Sequence, residues 1–405
     1  MKKKILALLM VMVLAMTALV GCGDKKDDKS SSTGTKATEE KSSFFKEFKE
    51  LSDLKTGTEK VQLKYVIKND EMKNSEEAKD FLDADGNLTV DLTFDVITES
   101  QTKVATDVSA KIGSKIDGKM MTVVVDGDEV YLEYAGLLDA LKGLNNEQIN
   151  SGLAQIESNF GKAIKVNVKT VSEAIKPILE QALASQENSQ ASPALKAIVA
   201  VFKDIKNNPE GLNEVIKTAS DAAEKHFENL TGVDGDMYTL TINKDNAKDM
   251  LDDTEAFIKE DGQKIAEAFV EYVCKVAGDD AFGKPQAEIK EKIPGGVEKL
   301  VAEMDKNKDK TLEELQKSNL DAVMKINVNE GKDAKFSIAM KMDSEGTTID
   351  YTGDVEFKAG SASIADKIPQ DANDITTMIN MLINQYGSML TQGAAASDDS
   401  TTDIY

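Results

Sequence analysis

Arginine and tryptophan are missing from this 405-residue chain, histidine occurs once and cysteine twice. Without arginine all 49 basic side chains are lysines, so no planar guanidinium is available to clamp a phosphate or carboxylate through two parallel hydrogen bonds. The lone histidine, His226, sits in a polar helical stretch with no second His or Cys beside it. A zinc site or a Cys/His dyad needs such a neighbour, and neither chemistry is expected. Cys274 falls within Phe269-Val270-Glu271-Tyr272-Val273-Cys274-Lys275-Val276, an apolar helical pattern in which a thiol serves as a small buried hydrophobe. No Gly-x-Ser-x-Gly elbow, Walker loop or His-Glu-x-x-His occurs. With 72 acidic residues, spacing alone cannot single out two that face each other across a glycosidic bond. The expectation is a non-enzyme with no cofactor and no metal.

What the chain has in excess is negative charge, a net −23. Such a field repels polyanions, which argues against nucleic acid and anionic lipid headgroups as partners. Its N-terminus is different. Lys2, Lys3 and Lys4 precede an apolar run from Ile5 to Val20 that is short for a membrane span and ends in Leu19-Val20-Gly21-Cys22. These residues resemble the signal peptide of bacterial lipoproteins. The resemblance implies that residues 1–21 are removed and that Cys22 becomes the lipid-modified first residue, holding the protein by fatty-acyl chains on the extracytoplasmic face of a cell membrane. Cys274 is then left without a disulfide partner. Loss of the three leading lysines takes the net charge from −23 to −26. Residues 22–45, rich in Lys, Asp, Ser, Thr and Gly, read as a disordered tether, and 393–405 as a disordered tail.

Residues 46–392 read as a single α+β domain. Val61, Leu63, Tyr65 and Ile67 alternate with polar neighbours, as do Leu88, Val90, Leu92, Phe94 and Val96, then Val104 to Ile112. Such alternation marks half-buried strands. Met121–Val125 turns at Asp126-Gly127 into Val130-Tyr131-Leu132, completing an antiparallel meander. Apolar spacings of three and four then predict a helical insertion over about 136–230. A strand at 237–242 leads to a helical region ending near Ser318, with breaks expected at Asp261-Gly262 and Pro294-Gly295-Gly296. Three more strands follow: Leu320–Val328, Ala334–Met342 and Ile349–Phe357. A last amphipathic helix from Asp371 carries Ile375, Met378, Ile379 and Leu382 on one stripe.

Two acidic clusters invite a metal reading and are better explained otherwise. Asp305, Asn307 and Asp309 resemble the first half of an EF-hand loop, but Lys310 stands at the glycine position and Gln316 at the closing glutamate. A capping box of Thr311 with Glu314 accounts for the segment instead. Asp83, Asp85 and Asn87 surround an Asp-Gly pair before a strong strand, which is turn chemistry. Methionine is the more suggestive residue. Met120, Met121, Met324, Met340 and Met342 fall on strands, and Met378, Met381 and Met389 on the last helix; flexible thioethers suit either a packed core or a pliable apolar pocket.

An acylated chain with a curved antiparallel sheet, half-closed as a half-barrel around helices on its concave side, resembles the lipid-carrier lipoproteins of the LolA and LppX/LprG type. The likeness is one of architecture over about residues 58–390. It implies an apolar cavity that shields a hydrophobic or lipid-like ligand, here lined by Leu92, Phe94, Phe336, Ile338, Met340 and Tyr351 and covered by Met378 and Leu382 of the last helix. Two alternatives stay open: a structural or protein-interaction lipoprotein of the cell envelope with a filled core, and a cell-surface hydrolase. The tether and the all-lysine basicity suit a Gram-positive envelope.

Overall fold

The computed structural model describes residues 43–385 apart from 52–55, 77, 101, 145–146, 186–196, 198–199, 202–203, 205–208, 330–332, 345 and 384. Cys22, Met389 and the expected signal peptide and tail lie outside them. The fold is α+β with mostly antiparallel strands. The chain groups into two compact units. Of the described residues, the first takes 43–51, Gln62–Met72 and those of Lys196–Gly360; the second takes Thr56–Val61, those of Lys73–Leu195 and those from Ser361 on.

In the first unit the strands follow the order β1 (Gly57–Asn69, of which it holds 62–69), β11 (Thr347–Ala359), β10 (Asp333–Ser344), β9 (Asp321–Asn329), β8 (Met237–Asn243) and β7 (Thr231–Asp234). Alternation explains the register. Ile326 of β9 lies opposite Phe336 of β10 and Tyr238 of β8, and Met340 lies opposite Tyr351 of β11, so most of the large apolar residues of β8 to β11 share one face. The longer helices described in this unit are α1 (Phe44–Leu51), α5 (Asn213–Phe227), α6 (Ala247–Ala277) and α7 (Gln286–Lys317). The apolar sheet face is filled by Phe44 of α1, Met250 and Leu251 of α6 and Leu315 of α7, with Ile326 at its centre 0% exposed.

The tether ends earlier than residue 45, because Phe44 is 1% exposed in this core and Glu47 accepts a hydrogen bond from the Val328 N–H at 2.7 Å. The breaks expected at Gly262 and Pro294 do not occur; both residues lie inside helices, α6 and α7. Interior Gly and Pro cost about 1 and 3 kcal/mol. That cost is offset by burial along both helices: Met250, Leu251, Leu312 and Leu315 join the sheet core, and Val270, Val273, Ile289 and Ile293 form a second cluster with Cys274. The real interruption is Gly278, at φ 103°, whose N–H donates to the Cys274 carbonyl at 2.9 Å. Since α7 continues to Lys317, the expected capping box at Thr311 is helix interior too.

The second unit is ordered β12 (Asn373–Asp374), β6 (Ala163–Asn167), β5 (Glu129–Glu133), β4 (Ile116–Asp126), β3 (Lys103–Ile112), β2 (Leu88–Ser100) and residues 57–61 of β1. Only β12 on β6 is parallel among the pairs described. Its helices are α2 (Ala135–Lys142), α3 (Glu147–Phe160), α4 (Val168–Ser185) and a helix over 376–383, α8. The expected insertion over 136–230 is therefore not purely helical, since β6 interrupts it. The last helix begins five residues after Asp371, because Asn373 and Asp374 pair with Ile164 and Lys165. Gly136, at the start of α2, is demanded by packing: a Cβ there would stand 1.8 Å from the Lys119 carbonyl oxygen.

Candidate functional site

In each unit the strands present an apolar face, but the two faces are finished differently. In the first unit Phe336, Ile338 and Met340 pack against the buried cluster of β8, β9, α1, α6 and α7. They line a core. Tyr351 is half-buried on the same face, its ring 4.7 Å from that of Tyr65, and burial together with Tyr65 pushes its hydroxyl up to about 12.

In the second unit the register places Leu92 opposite Ala110, Phe94 opposite Val108 and Val108 opposite Met121, so these residues share one face with Val96, Val104 and Val123. Its far end is covered: Leu132 of β5 and Ile164 of β6 pack with Leu138 and Leu141 of α2 and Leu153 of α3. Over β2 to β4 the situation changes. Leu92, Phe94, Val96, Val104, Val108, Met121 and Val123 are only half-buried, and none joins a buried cluster among the described residues. The opposite face is closed by the segment after β11, where Ile364 and Ile368 cover Ala105 and Val124. There Asp107 accepts hydrogen bonds from Thr122 at 2.6 Å and from Lys367, with Lys119 at 3.0 Å. Burial pushes its carboxyl up, but these donors outweigh that and hold it down at about 2.

The α8 residues behave differently from one another. Met378 is half-buried, whereas Leu382 is 44% and Met381 61% exposed. Sequence reasoning thus named eight lining residues that the structure distributes over both units: Leu92, Phe94, Met378 and Leu382 in one, Phe336, Ile338, Met340 and Tyr351 in the other. It passed over Glu59. This carboxyl, half-buried on β1 beside β2, has no hydrogen bond or ion pair among the described residues, and burial raises it above the usual carboxylate range. A glutamate in the apolar phase of an alternating strand (Glu59, Val61, Leu63) was the available signal.

One expectation about chemistry changes, that for His226. Asp305, Asn307 and Asp309 lie on α7, where Asn307 donates to the Glu303 carbonyl at 2.7 Å, so their alternate spacing makes no loop around a cation. His226, expected to stand alone, has carboxylates facing it from α6: its Nε2 donates to Asp261 at 2.8 Å and lies 3.8 Å from Glu260. Lys225 reaches the same pair, at 2.7 Å from Glu260 and 3.3 Å from Asp261. Asp261, chiefly through the His226 hydrogen bond, and Glu260, chiefly through Lys225, are both held below the ordinary carboxylate range. The turn at Asp83 follows its sequence reading, with Asp83 accepting from the Asp85 and Asn87 N–H groups at 2.9 Å and Gly86 at φ 76°. Cys274 is buried, and burial raises its thiol.

Comparison with known proteins returns nothing. No family model, curated protein or solved structure matches this chain.

Proposed function

We propose that this protein is a lipoprotein anchored through Cys22 at the extracytoplasmic face of the cell membrane, and that it binds a hydrophobic, lipid-like ligand without catalysis. The observation that carries the ligand is the half-buried apolar surface of β2, β3 and β4 in the second unit. Closing such a surface is worth roughly 25 cal/mol per Å² of apolar area removed from water, and an acyl chain is the chemistry that does this without polar partners. In this reading the second unit's sheet curves as a half-barrel about the ligand, as in the LolA-type carriers. Glu59, desolvated on the strand beside β2, is the polar group available to a ligand's headgroup. The −23 net charge favours a neutral or zwitterionic headgroup over an anionic one.

The packed face of the first unit narrows the site: Phe336, Ile338 and Met340 serve folding, and Leu92 and Phe94 meet the ligand. The same packing favours a second reading, an envelope lipoprotein whose filled core supports protein contacts. An environment-sensitive acyl probe added to the mature chain separates them. Probe uptake that is abolished by Phe94→Asp in a still-folded protein supports the carrier reading; absence of uptake by the wild type leaves the interaction protein. Fatty-acid labelling that persists in Cys22→Ala would overturn the anchor.

A further inference from the structure

Histidine 226 is the only imidazole in the chain, and its surroundings are assembled from two helices rather than from sequence neighbours. Its side chain is 7% exposed, while Asp261 and Glu260 stand progressively nearer to solvent. The ring is set by an edge-on contact with Phe257, centroids 6.0 Å apart. Nε2 therefore points at the two carboxylates across the α5–α6 contact, and one ligand atom from each of the three residues falls within 4.8 Å of the others.

We propose that His226, Asp261 and Glu260 form a binding site for one divalent cation of the zinc class. Bond lengths near 2.0–2.2 Å place the ligand atoms of a tetrahedral zinc about 3.3 Å apart. The Nε2 separations of 2.8 Å to Asp261 and 3.8 Å to Glu260 bracket that value, so small rotations of the two carboxylate side chains suffice. To bind a cation the ring must offer its Nε2 lone pair, which leaves a ring proton on Nδ1. A nitrogen with two carboxylates selects zinc or its neighbours over calcium and magnesium, which take all-oxygen cages. Three protein ligands leave a fourth position for water on the exposed Glu260 side. Lys225 is the resident counter-ion: its ammonium bridges the two carboxylates, and a dication must displace it. That exchange turns a local charge of −1 into zero. Because Lys225 is exposed, its release into water costs little.

The test uses the full chain, stripped with a chelator and titrated with Co2+ and then Zn2+. One equivalent of Co2+ is expected to give the intense visible absorption of a four-coordinate ion, and Zn2+ to displace it. Removing a ligand should weaken binding by more than about 100-fold, the upper end of what an outer-shell partner costs, in His226→Ala. The more exposed double variant Glu260→Gln with Asp261→Asn should do the same with unchanged far-ultraviolet circular dichroism, which covers the possibility that the buried histidine variant fails to fold. Lys225→Met should tighten binding by removing the competing cation. Absence of the visible bands, or an affinity that is the same in the double variant as in the wild type, would overturn the proposal, the latter because it identifies diffuse association with an acidic surface.

Discussion

Replacing Ile326 by alanine separates a filled core from a ligand pocket in the first unit. The side chain is 0% exposed, at the middle of β9, between Tyr238 on one neighbouring strand and Phe336 on the other. The substitution deletes three carbon atoms, about 2.4 kcal/mol at ~0.8 kcal/mol for each buried methylene. A residual cavity adds to this, because α1, α6 and α7 hold the lining in place and limit collapse, giving a total of about 3–4 kcal/mol. Urea unfolding followed by far-ultraviolet circular dichroism and by tyrosine fluorescence, which no tryptophan overlays, should show an earlier midpoint with little change of slope. Acyl-probe uptake by the folded variant should equal that of the wild type. A loss below about 1 kcal/mol, or a change in probe affinity, would mean that the β9–β10 face is not packed solid and that the ligand belongs there.

Asp107 gives an acid limb. Its folded carboxyl sits at about 2 against an ordinary 3.8, and a lowered folded pKa contributes stability that is present above the unfolded value and lost as pH falls through the folded one. Thermal melts between pH 5 and 2 should therefore decline by up to about 2 kcal/mol on its account, and Asp107→Asn should flatten that limb; an equally steep limb in the variant would assign it to other carboxylates. Gly136→Ala forces α2 off the Lys119 carbonyl and should destabilise by about 1–3 kcal/mol in the same melts, whereas Gly152→Ala, with nothing near its Cβ, should be neutral or stabilising.

Alternation made the long strands readable. β1, β2, β3, β9, β10 and β11 each carry several apolar residues at every second position, and a period of two admits only one face. β6 escaped because Ala163-Ile164-Lys165-Val166-Asn167 offers just two large apolar residues and lies between helical stretches. Phe44 and Phe45 were hidden at the end of a polar run, where composition over a window outweighs two residues. Gly262 and Pro294 were overruled by packing that spans more than fifty residues of sequence, which no local rule contains. Asp261 lies 35 residues from His226 and Glu260 precedes it, so the cluster exists only once α5 and α6 meet. For the apolar surfaces, the sequence could say which residues share a strand face; whether a helix then covers that face depends on residues far along the chain.

The cover over Ala105 and Val124 comes from Ile364 and Ile368, far along the chain from both. Ile364 closes that cluster, its N–H donates to Glu99 at 3.0 Å, and Lys367 engages Asp107 across 260 residues of sequence. A chain that emerges N-terminus first can form the β2 to β5 meander early, but it must hold one side of it open until residue 364 arrives. During that interval Lys119 is the lysine left to partner Asp107, and Ala105 and Val124 face water. Synthesis thus becomes the period of greatest exposure to proteases and to pairing with other chains. A truncation between Gly360 and Ile364, although it removes only about a tenth of the sequence, should make that exposure permanent.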